Sequence, residues 1–385
     1  MIQEILLYIC AAFAASIIAV HLACLAGVLR NRLGDALGRT GNSSTLPFTV
    51  SVIVVAKDEE ENLPPLFASL EAQSVQDFQI ILVSDRSQDG TLGLMKAFAE
   101  KHGSRVKVLE NTEGVDNLGP KQFVLDIATA AAVGEILVFT DADCTVPRQW
   151  VEKMQPYFHD PRVGVVFGQI SLRKEKGFFS NFQGFDQPLI HQYNSATAGL
   201  GMPGSCFGNN LVARRAVIDQ IGGFRSLGYT LTEDAALATA SAKSGWKVRV
   251  STRTDTMIQT RAQGSWRDFI NQHLRWNGGA FYHEDFLTRL AYRFITLYLI
   301  ASVLVVPVAV FLPFLFVLPA ASFISVGLMA PIGGILYRPD KSWYLLHLIP
   351  YTCFFLLFYA FVTLLSIFRV SPRWKGKRWQ PARHQ

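Results

Sequence analysis

The stretch VFTDADC, residues 138–144, ends an apolar run with two carboxylates, Asp141 and Asp143, separated only by Ala142. The run EILVFT (135–140) predicts a buried strand. The acids that follow have two interpretations. They form a solvated turn that uses Asp for its turn geometry, or they bind one divalent cation, because Mg²⁺ takes oxygen ligands and leaves positions open for substrate phosphates.

Neighbouring segments predict the sheet to which this strand belongs. We predict further strands at 48–56, 79–84, 106–110 and 163–168, and helices at 61–73, 89–102, 121–132 and 233–244. Apolar strands separated by helices favour an α/β domain with a mostly parallel sheet covered on both faces. Ligands of such sheets bind beyond the carboxyl ends of the strands. Asp58, Asp85 and the Asp141/Asp143 pair all follow strand ends, so we expect these carboxylates to lie along one edge.

Both ends of the 385-residue chain are strongly apolar. Residues 5–29 are interrupted only by His21 and are long enough to cross a hydrocarbon layer of about 30 Å. A cleaved signal is the competing interpretation, but Glu4 precedes the run where Lys or Arg is expected, so we predict a retained anchor. Residues 294–337 predict a helical hairpin broken near Pro313 or Pro319, and residues 343–368 predict one more span. This gives three or four crossings.

Basic residues indicate the orientation. Arg30, Arg32 and Arg39 follow the first apolar run, so the positive-inside rule predicts a cytosolic middle domain. The basic tail also predicts an inside location, which requires an even number of C-terminal crossings, whereas a hairpin and one span make three. Either part of 294–337 does not cross, or the tail is outside. The formal net charge of +6 reflects basic residues next to membrane ends and does not indicate nucleic-acid binding.

The segment TLTEDAALA (230–238) contains a second pair of acids, Glu233 and Asp234. Thr232 can cap the helix that begins here, and acids suit the positive end of a helix, so capping alone accounts for much of the segment. A carboxylate near a cation-bound phosphate donor can also take a proton from an acceptor hydroxyl. The segment therefore contains a candidate general base.

The segment QHLRW (272–276) contains a third group of candidates. On a helix, Gln272, Arg275 and Trp276 share a face. Arg suits a phosphate, and an aromatic ring suits a sugar or a lipid. The alternative is an amphipathic helix on the membrane surface, with Trp276 and Trp266 as anchors. Both interpretations can be true of the same helix.

Taken together, seven segments resemble the membrane-bound glycosyltransferases of family 2, which have the GT-A fold. In chain order they are VSVIVVAKDEEE, VSDRSQDGT, KQFVLDIA, TDADC, GNNLVARRAVIDQIGGF, TED and QHLRW. The resemblance covers about residues 48–280, and the tail segment RWKGK (373–377) also resembles tails of that family. It implies a GT-A type, mostly parallel sheet flanked by helices, with transmembrane helices at both ends.

The resemblance also implies roles for the acids. Asp143 matches the principal metal-binding acid, with Asp141 beside it, so that Mg²⁺ or Mn²⁺ would bind the diphosphate of a nucleotide-sugar. Asp234 matches the catalytic base, with Glu233 beside it. Asp85 matches an acid that contacts a uracil-type base.

Other positions match the donor site less closely. Asp58 would lie near the nucleotide, although it also suits a helix start. Lys121 matches a basic residue near the nucleotide, although a solvated helix start is an equal alternative. Gln272, Arg275 and Trp276 match a motif that closes over the diphosphate and the acceptor. The segment PGSCFGNN (203–210) matches a flexible acceptor-side loop. Two departures are Arg86, where Gly is common, and Asp126, where Asn is common.

The resulting prediction is an inverting glycosyltransferase at the inner face of the cell membrane, with a nucleotide-sugar donor, a lipid or glycan acceptor and no nucleic-acid partner. Its expected parts are an anchor (1–30), a linker (31–47), a cytosolic catalytic domain (48–265), an interfacial region (266–290), transmembrane helices (291–369) and a basic tail (370–385). A processive polysaccharide synthase is the first alternative. A non-catalytic sugar-binding scaffold is the second.

Overall fold

The computed structural model of the chain describes residues 2–37, 47–114, 117–173, 177–337 and 347–380. The chain divides into two compact units. The sheet unit comprises Arg30–Arg173 and Gly201–Arg261, and the helical unit comprises Met1–Leu29, Lys174–Leu200 and Ala262–Gln385. Of the predicted linker, residues 31–37 continue the first helix, α1 (Ile2–Leu37), and 38–46 lie outside the described residues. Residues 381–385 of the predicted tail also lie outside them.

The strands of the sheet unit confirm the predicted α/β fold. They are β1 (Val50–Ala56), β2 (Gln79–Asp85), β3 (Val106–Asn111), β4 (Ile136–Asp141), β5 (Val163–Phe167), β6 (Ile170–Leu172), β7 (Leu211–Arg214), β8 (Lys247–Val250) and β9 (Ile258–Thr260). Seven of them form one sheet in the order β3-β2-β1-β4-β7-β5-β8. The first four are parallel, β7 is antiparallel to β4 and β5, and β8 is parallel to β5. Strands β6 and β9 form a separate parallel pair.

Helices pack on this sheet between the strands. They are α2 (Leu63–Glu71), α3 (Thr91–His102), α4 (Gln122–Ala131), α5 (Trp150–Met154), α7 (Arg215–Ile221) and α8 (Glu233–Lys243). The β-branched run of β1 is buried along almost its whole length, as expected for a central strand with both faces covered. The prolines of α2 lie in its first turn, where a missing N–H is tolerated.

The strand register determines where the acids lie. Val55 of β1 is opposite Asp141 of β4, and Ala56 of β1 is opposite Ser84 of β2. The parallel strands therefore end at one level, and the residues that follow them form one edge of the sheet. Since neighbouring strands are about 4.8 Å apart, Asp85 and Asp141 are separated by two strand spacings, or about 10 Å.

The helical unit contains the long apolar helices. After part of α1 come α6 (Phe178–Gly199), α9 (Trp266–Phe281), α10 (Phe286–Leu304), α11 (Val306–Ala309), α12 (Val317–Tyr337) and α13 (Leu348–Ile367), followed by a two-stranded hairpin of β10 (Arg373–Trp374) and β11 (Lys377–Arg378). By length and composition, four helices of the described residues can cross a membrane: Gln3–Ala36, Phe286–Leu304, Pro313–Leu336 and Leu348–Ile367. The break in the predicted hairpin occurs near Pro313; Pro319 lies in the first turn of α12 instead.

A buried polar network ties three helices of this unit together. The carboxylate of Asp186 on α6 lies 2.9 Å from Nε2 of His273 on α9 and accepts a 2.9 Å hydrogen bond from the hydroxyl of Tyr359 on α13. The second ring nitrogen of His273 lies 2.9 Å from the carbonyl of Phe269. Asp186 and His273 are almost fully buried. Inside an apolar bundle this network fixes the rotation of α9, because each partner would otherwise be buried without a hydrogen bond.

Candidate functional site

A cavity that is partly open to solvent lies at the carboxyl ends of β1 and β4, and the space in and directly above it, open solvent included, is about 390 Å³. Its lining comprises Ile53, Val55, Lys121, Leu125, Phe139, Thr140, Asp141, Gly208, Leu211, Phe224, Glu233 and Asp234. Four of these were predicted from sequence as site residues: Lys121, Asp141, Glu233 and Asp234. Acids that are more than 90 residues apart in the chain thus meet at the edge of the sheet where ligands of α/β folds bind.

The D-x-D turn carries an excess of negative charge. Nζ of Lys121 lies 2.7 Å from a carboxylate oxygen of Asp141. Asp143 accepts a 3.2 Å hydrogen bond from the hydroxyl of Thr260. Burial, together with the nearby carboxylates of Asp141 and Glu59, raises the pKa of Asp143 to about 6, and Lys121 opposes the shift. One lysine thus faces three acids.

This donor set fits a hard divalent cation. Among the described residues, no three side chains of His, Cys, Asp or Glu come together as a complete metal-binding group. A Mg²⁺ or Mn²⁺ ion that completes its coordination with substrate phosphates needs only one or two carboxylates. Asp141 and Asp143 supply oxygen ligands of that kind, and their mutual repulsion is what a cation would relieve.

Asp234 is fixed at the start of α8 by backbone donors. One of its carboxylate oxygens accepts a 2.7 Å hydrogen bond from the backbone N–H of Gly208, and the other a 2.8 Å bond from that of Ala235. Thr232 is the N-cap residue of this helix, as the sequence allowed, but its side chain makes no capping hydrogen bond. The Asp234 carboxylate takes over this role, because it accepts a hydrogen bond from the first-turn N–H of Ala235.

The loop before β7 joins the two groups of acids. A Cβ atom on Gly208 would lie 3.1 Å from the Asp234 carboxylate, so only a glycine permits this approach without displacement. The side-chain amide of Asn209 lies 3.6 Å from the Cys144 thiol, next to Asp143. Asn210 is fully buried and hydrogen bonds to Trp150, Gln169 and Thr256. This end of PGSCFGNN is therefore held in place, in contrast to the flexible loop expected from its glycines.

Asp85 lies on the same sheet edge but outside the cavity lining. Its buried carboxylate forms a two-bond pair with Arg86, at 2.8 and 2.7 Å, and accepts a 2.7 Å hydrogen bond from Asn111. Arg86 has a φ of +54°, which explains why glycine suits this position. The carboxylate of Asp58 accepts a 2.8 Å hydrogen bond from the backbone N–H of Gln88 and so links the loops after β1 and β2.

The motif residues Gln272, Arg275 and Trp276 lie in the helical unit. They are half-buried on one face of α9, as their spacing predicted. Between them His273 is buried in the Asp186 network. Trp266, predicted as a surface anchor, is 38 % exposed and its ring centroid lies 4.4 Å from that of Phe179.

Two structural residues of the site were not assigned from sequence. The side-chain amide of Gln122 makes four hydrogen bonds: its oxygen accepts from the N–H groups of Gly119 and Thr230, and its nitrogen donates to the carbonyls of Phe224 and Gly228. Asp126, noted only as a departure, accepts from the backbone N–H of Phe224 and pairs with the guanidinium of Arg225 at 2.8 Å.

A sequence signal for Gln122 exists. It precedes the apolar Leu125 by three residues and Thr129 by seven, which puts an uncharged polar residue on the buried face of α4. A buried amide needs partners for both its donors and its acceptor, so such a residue indicates loops that must be held nearby.

Comparison of the sequence with known proteins identifies several similar proteins. The beta-monoglucosyldiacylglycerol synthase of Synechocystis is 26% identical over 215 residues, which cover 55% of this chain and 44% of that protein. An N-acetylglucosaminyltransferase of Bradyrhizobium diazoefficiens is 24% identical over 263 residues, covering 65% of this chain and 52% of that protein. The matches thus span about half the length of these relatives.

A solved structure shares the fold. A mannosyltransferase from Pyrobaculum calidifontis, solved in complex with GDP-Man and Mn2+, aligns with 92% of this chain and 99% of its own at a TM-score of 0.56 and 20% identity. The GT-A expectation is confirmed at the level of the fold. The family model of glycosyl transferase family 21 matches residues 6–380, nearly the whole sequence, and the chain therefore belongs to glycosyl transferase family 21.

Proposed function

We propose that this glycosyltransferase moves a sugar from a nucleotide-sugar, with a UDP-sugar as first choice, to the hydroxyl of a membrane lipid, with inversion at the anomeric carbon. The observation that carries the proposal is the convergence of Lys121, Asp141, Glu233 and Asp234 on one cavity at the carboxyl edge of the sheet. A nucleotide-sugar needs a site for its diphosphate and a base for the acceptor, and this cavity offers groups for both.

The diphosphate is proposed to bind at the D-x-D turn. Asp141 and Asp143 would hold Mg²⁺ or Mn²⁺, which when bound neutralises charge on the leaving nucleoside diphosphate. Lys121, 2.7 Å from Asp141, can turn its ammonium group toward a phosphate oxygen and add to that neutralisation. Asp85, at the end of β2, and Asp58, in the loop after β1, are proposed to lie beside the nucleotide.

Asp234 is proposed as the general base. Its backbone partners Gly208 and Ala235 orient the carboxylate next to the cavity, and Glu233 lies beside it. The acceptor hydroxyl gives its proton to Asp234 while its oxygen forms a bond to the anomeric carbon. On the opposite face the bond from that carbon to the phosphate oxygen breaks, and the nucleoside diphosphate leaves with the electron pair. No covalent enzyme intermediate forms.

The lipid acceptor is supported by the relatives and by the helices. Three curated relatives carry the name beta-monoglucosyldiacylglycerol synthase, and four apolar helices of the described residues have the length of membrane spans. The predicted contacts with donor and acceptor also include Gln272, Arg275 and Trp276. Substitution of these residues would test whether they contribute to transfer.

We also propose that the protein lies in the cell's inner membrane with its sheet unit in the cytosol, on the basis of the arginines that follow the first apolar run. The backbone N–H of Arg373 donates a 2.8 Å hydrogen bond to Asn271 on α9. This contact supports a tail on the same side of the membrane as α9. An even number of the helices α10, α12 and α13 would then cross completely, which favours the first of the two solutions left open by the charge pattern.

A panel of nucleotide-sugars, incubated with the purified protein in lipid discs, tests the function. We expect metal-dependent transfer from one donor, with a labelled product of constant size that extracts into organic solvent. A water-soluble product of growing length would instead indicate a polysaccharide synthase. If the protein neither hydrolyses nor transfers the sugar of any donor, the non-catalytic sugar-binding scaffold becomes the favoured interpretation.

A further inference from the structure

The hairpin formed by β10 and β11 presents an unusual arrangement of positive charge. Arg373 lies directly opposite Arg378, and Trp374 lies opposite Lys377. Arg373, Lys377 and Arg378 are exposed. Among the described residues, neither guanidinium of the arginine pair forms an ion pair with a carboxylate. Like charges directly opposite each other destabilise a two-stranded ladder, so internal contacts of the hairpin do not account for this pair.

The rest of the hairpin holds these cations in position. Lys375 and Gly376 both have positive φ, +46° and +77°, which is the geometry of a tight two-residue turn. Nε1 of Trp379 donates a 3.4 Å hydrogen bond to the carbonyl of Trp374, and Nζ of Lys377 lies 5.0 Å from the centroid of the Trp379 ring. The two half-buried tryptophans thus brace one side of a short, charged hairpin.

The hairpin is also attached to the helical unit. Its first strand bonds to Asn271 of α9, and the exposed Arg267 lies one helical turn before Asn271 on the same face. The exposed Asp268 in that turn is engaged with the hydroxyl of Ser265 at the helix start. The group of Arg267, Arg373, Lys377 and Arg378 is called the tail patch below.

The position of the tail patch along the chain limits its partner. Only five residues separate the end of α13 at Ile367 from Arg373, and at most about 3.5 Å per residue they span about 17 Å. One of the five is the exposed Arg369. If α13 reaches the membrane surface, the patch lies within reach of the headgroup layer, where tryptophan and basic side chains accumulate.

We propose that the tail patch binds the anionic headgroups of the membrane in which the protein lies. Phosphate groups of anionic phospholipids lie side by side at the surface, and one of them between Arg373 and Arg378 would turn a repulsive pair into two attractive ones. This interaction is independent of the proposed sugar transfer, since none of its residues belongs to the cavity of the sheet unit.

Hydrogen exchange of the full chain in lipid discs tests the proposal. Discs of phosphatidylcholine alone are compared with discs that contain about one-third phosphatidylglycerol. We expect the backbone amides of residues 373–379 to exchange at least about fivefold more slowly in the anionic discs, and this difference to shrink as salt screens the charges. Equal exchange in both kinds of disc would overturn the proposal, as would protection produced in neutral discs by inorganic phosphate.

Matched variants separate the patch from total charge. Arg373→Gln/Arg378→Gln should lose the difference between the two discs, whereas Lys96→Gln/Lys107→Gln, which removes two exposed cations of the sheet unit, should retain it. Arg373→Lys/Arg378→Lys keeps both positive charges and should also retain the difference between the two discs. This result would show that the glutamine variant loses the difference because charge is lost, and not because the hairpin fails to form. Loss of the difference in the Lys96/Lys107 variant would count against the proposal.

Discussion

Asp186 of the helical unit and Asp143 of the sheet unit are both acids set among buried neighbours, and they differ in their partners. Asp186 has the ring of His273 at one oxygen and the hydroxyl of Tyr359 at the other. Asp143 has one hydroxyl partner and faces two further carboxylates. An acid supplied with donors from within holds a fold together, whereas an acid crowded by other acids needs a positive group from outside. The predictions below test this difference.

The largest effect is expected at the proposed base. Asp234→Asn keeps the shape of the side chain but cannot take up a proton, so turnover should fall by about 10²–10⁴-fold while donor binding is retained. Measured rates and donor affinities check this, with Asp219→Asn, an exposed acid on α7, as the matched control. Wild-type turnover in Asp234→Asn would remove Asp234 as the base.

The second effect concerns the D-x-D turn. EDTA should abolish transfer and added Mn²⁺ should restore it, while Asp143→Asn should raise the Mn²⁺ concentration needed by at least about tenfold. Because the pKa of Asp143 is raised to about 6, protons compete with the cation below that pH, and the required Mn²⁺ should rise there also in the wild type. Activity titrations at several pH values measure both. Transfer that is undiminished after exhaustive EDTA treatment would rule out the metal.

The third effect should appear in stability and not in chemistry. Asp186→Asn replaces one buried acceptor oxygen by an amide nitrogen and so breaks a hydrogen bond of the network, which costs about 1–3 kcal/mol, so the unfolding temperature should fall while turnover per folded molecule changes little. Thermal unfolding in lipid discs measures it, and Glu284→Gln, an exposed acid of the same unit, is the control. A variant with normal stability but no turnover would instead move Asp186 into the catalytic machinery.

The smallest effect is expected at Asp126, which has hydrogen-bond donors, like Asp186, and a raised pKa, like Asp143. Burial raises its pKa, while the N–H groups of Phe224 and Arg225 and the Arg225 guanidinium oppose this. An acid with a raised pKa contributes stability below its unfolded pKa of about 3.9 and loses that contribution as the pH rises through its folded pKa. The free energy of unfolding of the wild type, relative to Asp126→Asn, should therefore fall as the pH rises from about 4 to 7.

Chemical unfolding at a series of pH values measures this difference. At neutral pH we expect the two proteins to agree within about 1 kcal/mol, because asparagine keeps the acceptor for Phe224 and loses a 3.2 Å bond from the backbone N–H of Arg225 and the partly exposed pair with its guanidinium. Asp77→Asn, an exposed acid of the same unit, is the control. A relative stability that instead rises with pH would contradict the assigned direction.

Most of the fold could be predicted from sequence because it depends on local patterns. The apolar strands and the intervening helices of the sheet unit each carry their own periodicity, and a parallel order follows from their alternation. The position of Asp58, Asp85 and Asp141 on one edge follows from that order, since parallel strands end on one edge. Glu233 and Asp234 begin α8, which comes after the antiparallel strand β7, so that rule does not place them. The break near Pro313 was equally local, because proline lacks the N–H that a helix interior requires.

The parts that could not be predicted depend on contacts between distant segments. Thr232 has a residue type that suits a helix cap, but its side chain does not cap α8. The carboxylate of Asp234 instead accepts hydrogen bonds from a first-turn N–H and from the N–H of Gly208, which lies 26 residues before Asp234. The glycines of PGSCFGNN indicated flexibility, yet Asn210 is held by three segments of the chain. The buried pairing of His273 with Asp186 spans 87 residues, and no spacing rule connects them.

The four hydrogen bonds of Gln122 have a consequence for redesign of the site. The segment 224–230 leads into the acids of α8, and it is joined through this one amide to Gly119, where a Cβ atom would lie only 1.8 Å from the carbonyl of Thr230. A loop transplanted from a relative to change which sugar is accepted would meet the wrong partner unless residues 119–122 were exchanged with it. The two segments therefore form one structural module, and substitutions in them should combine non-additively.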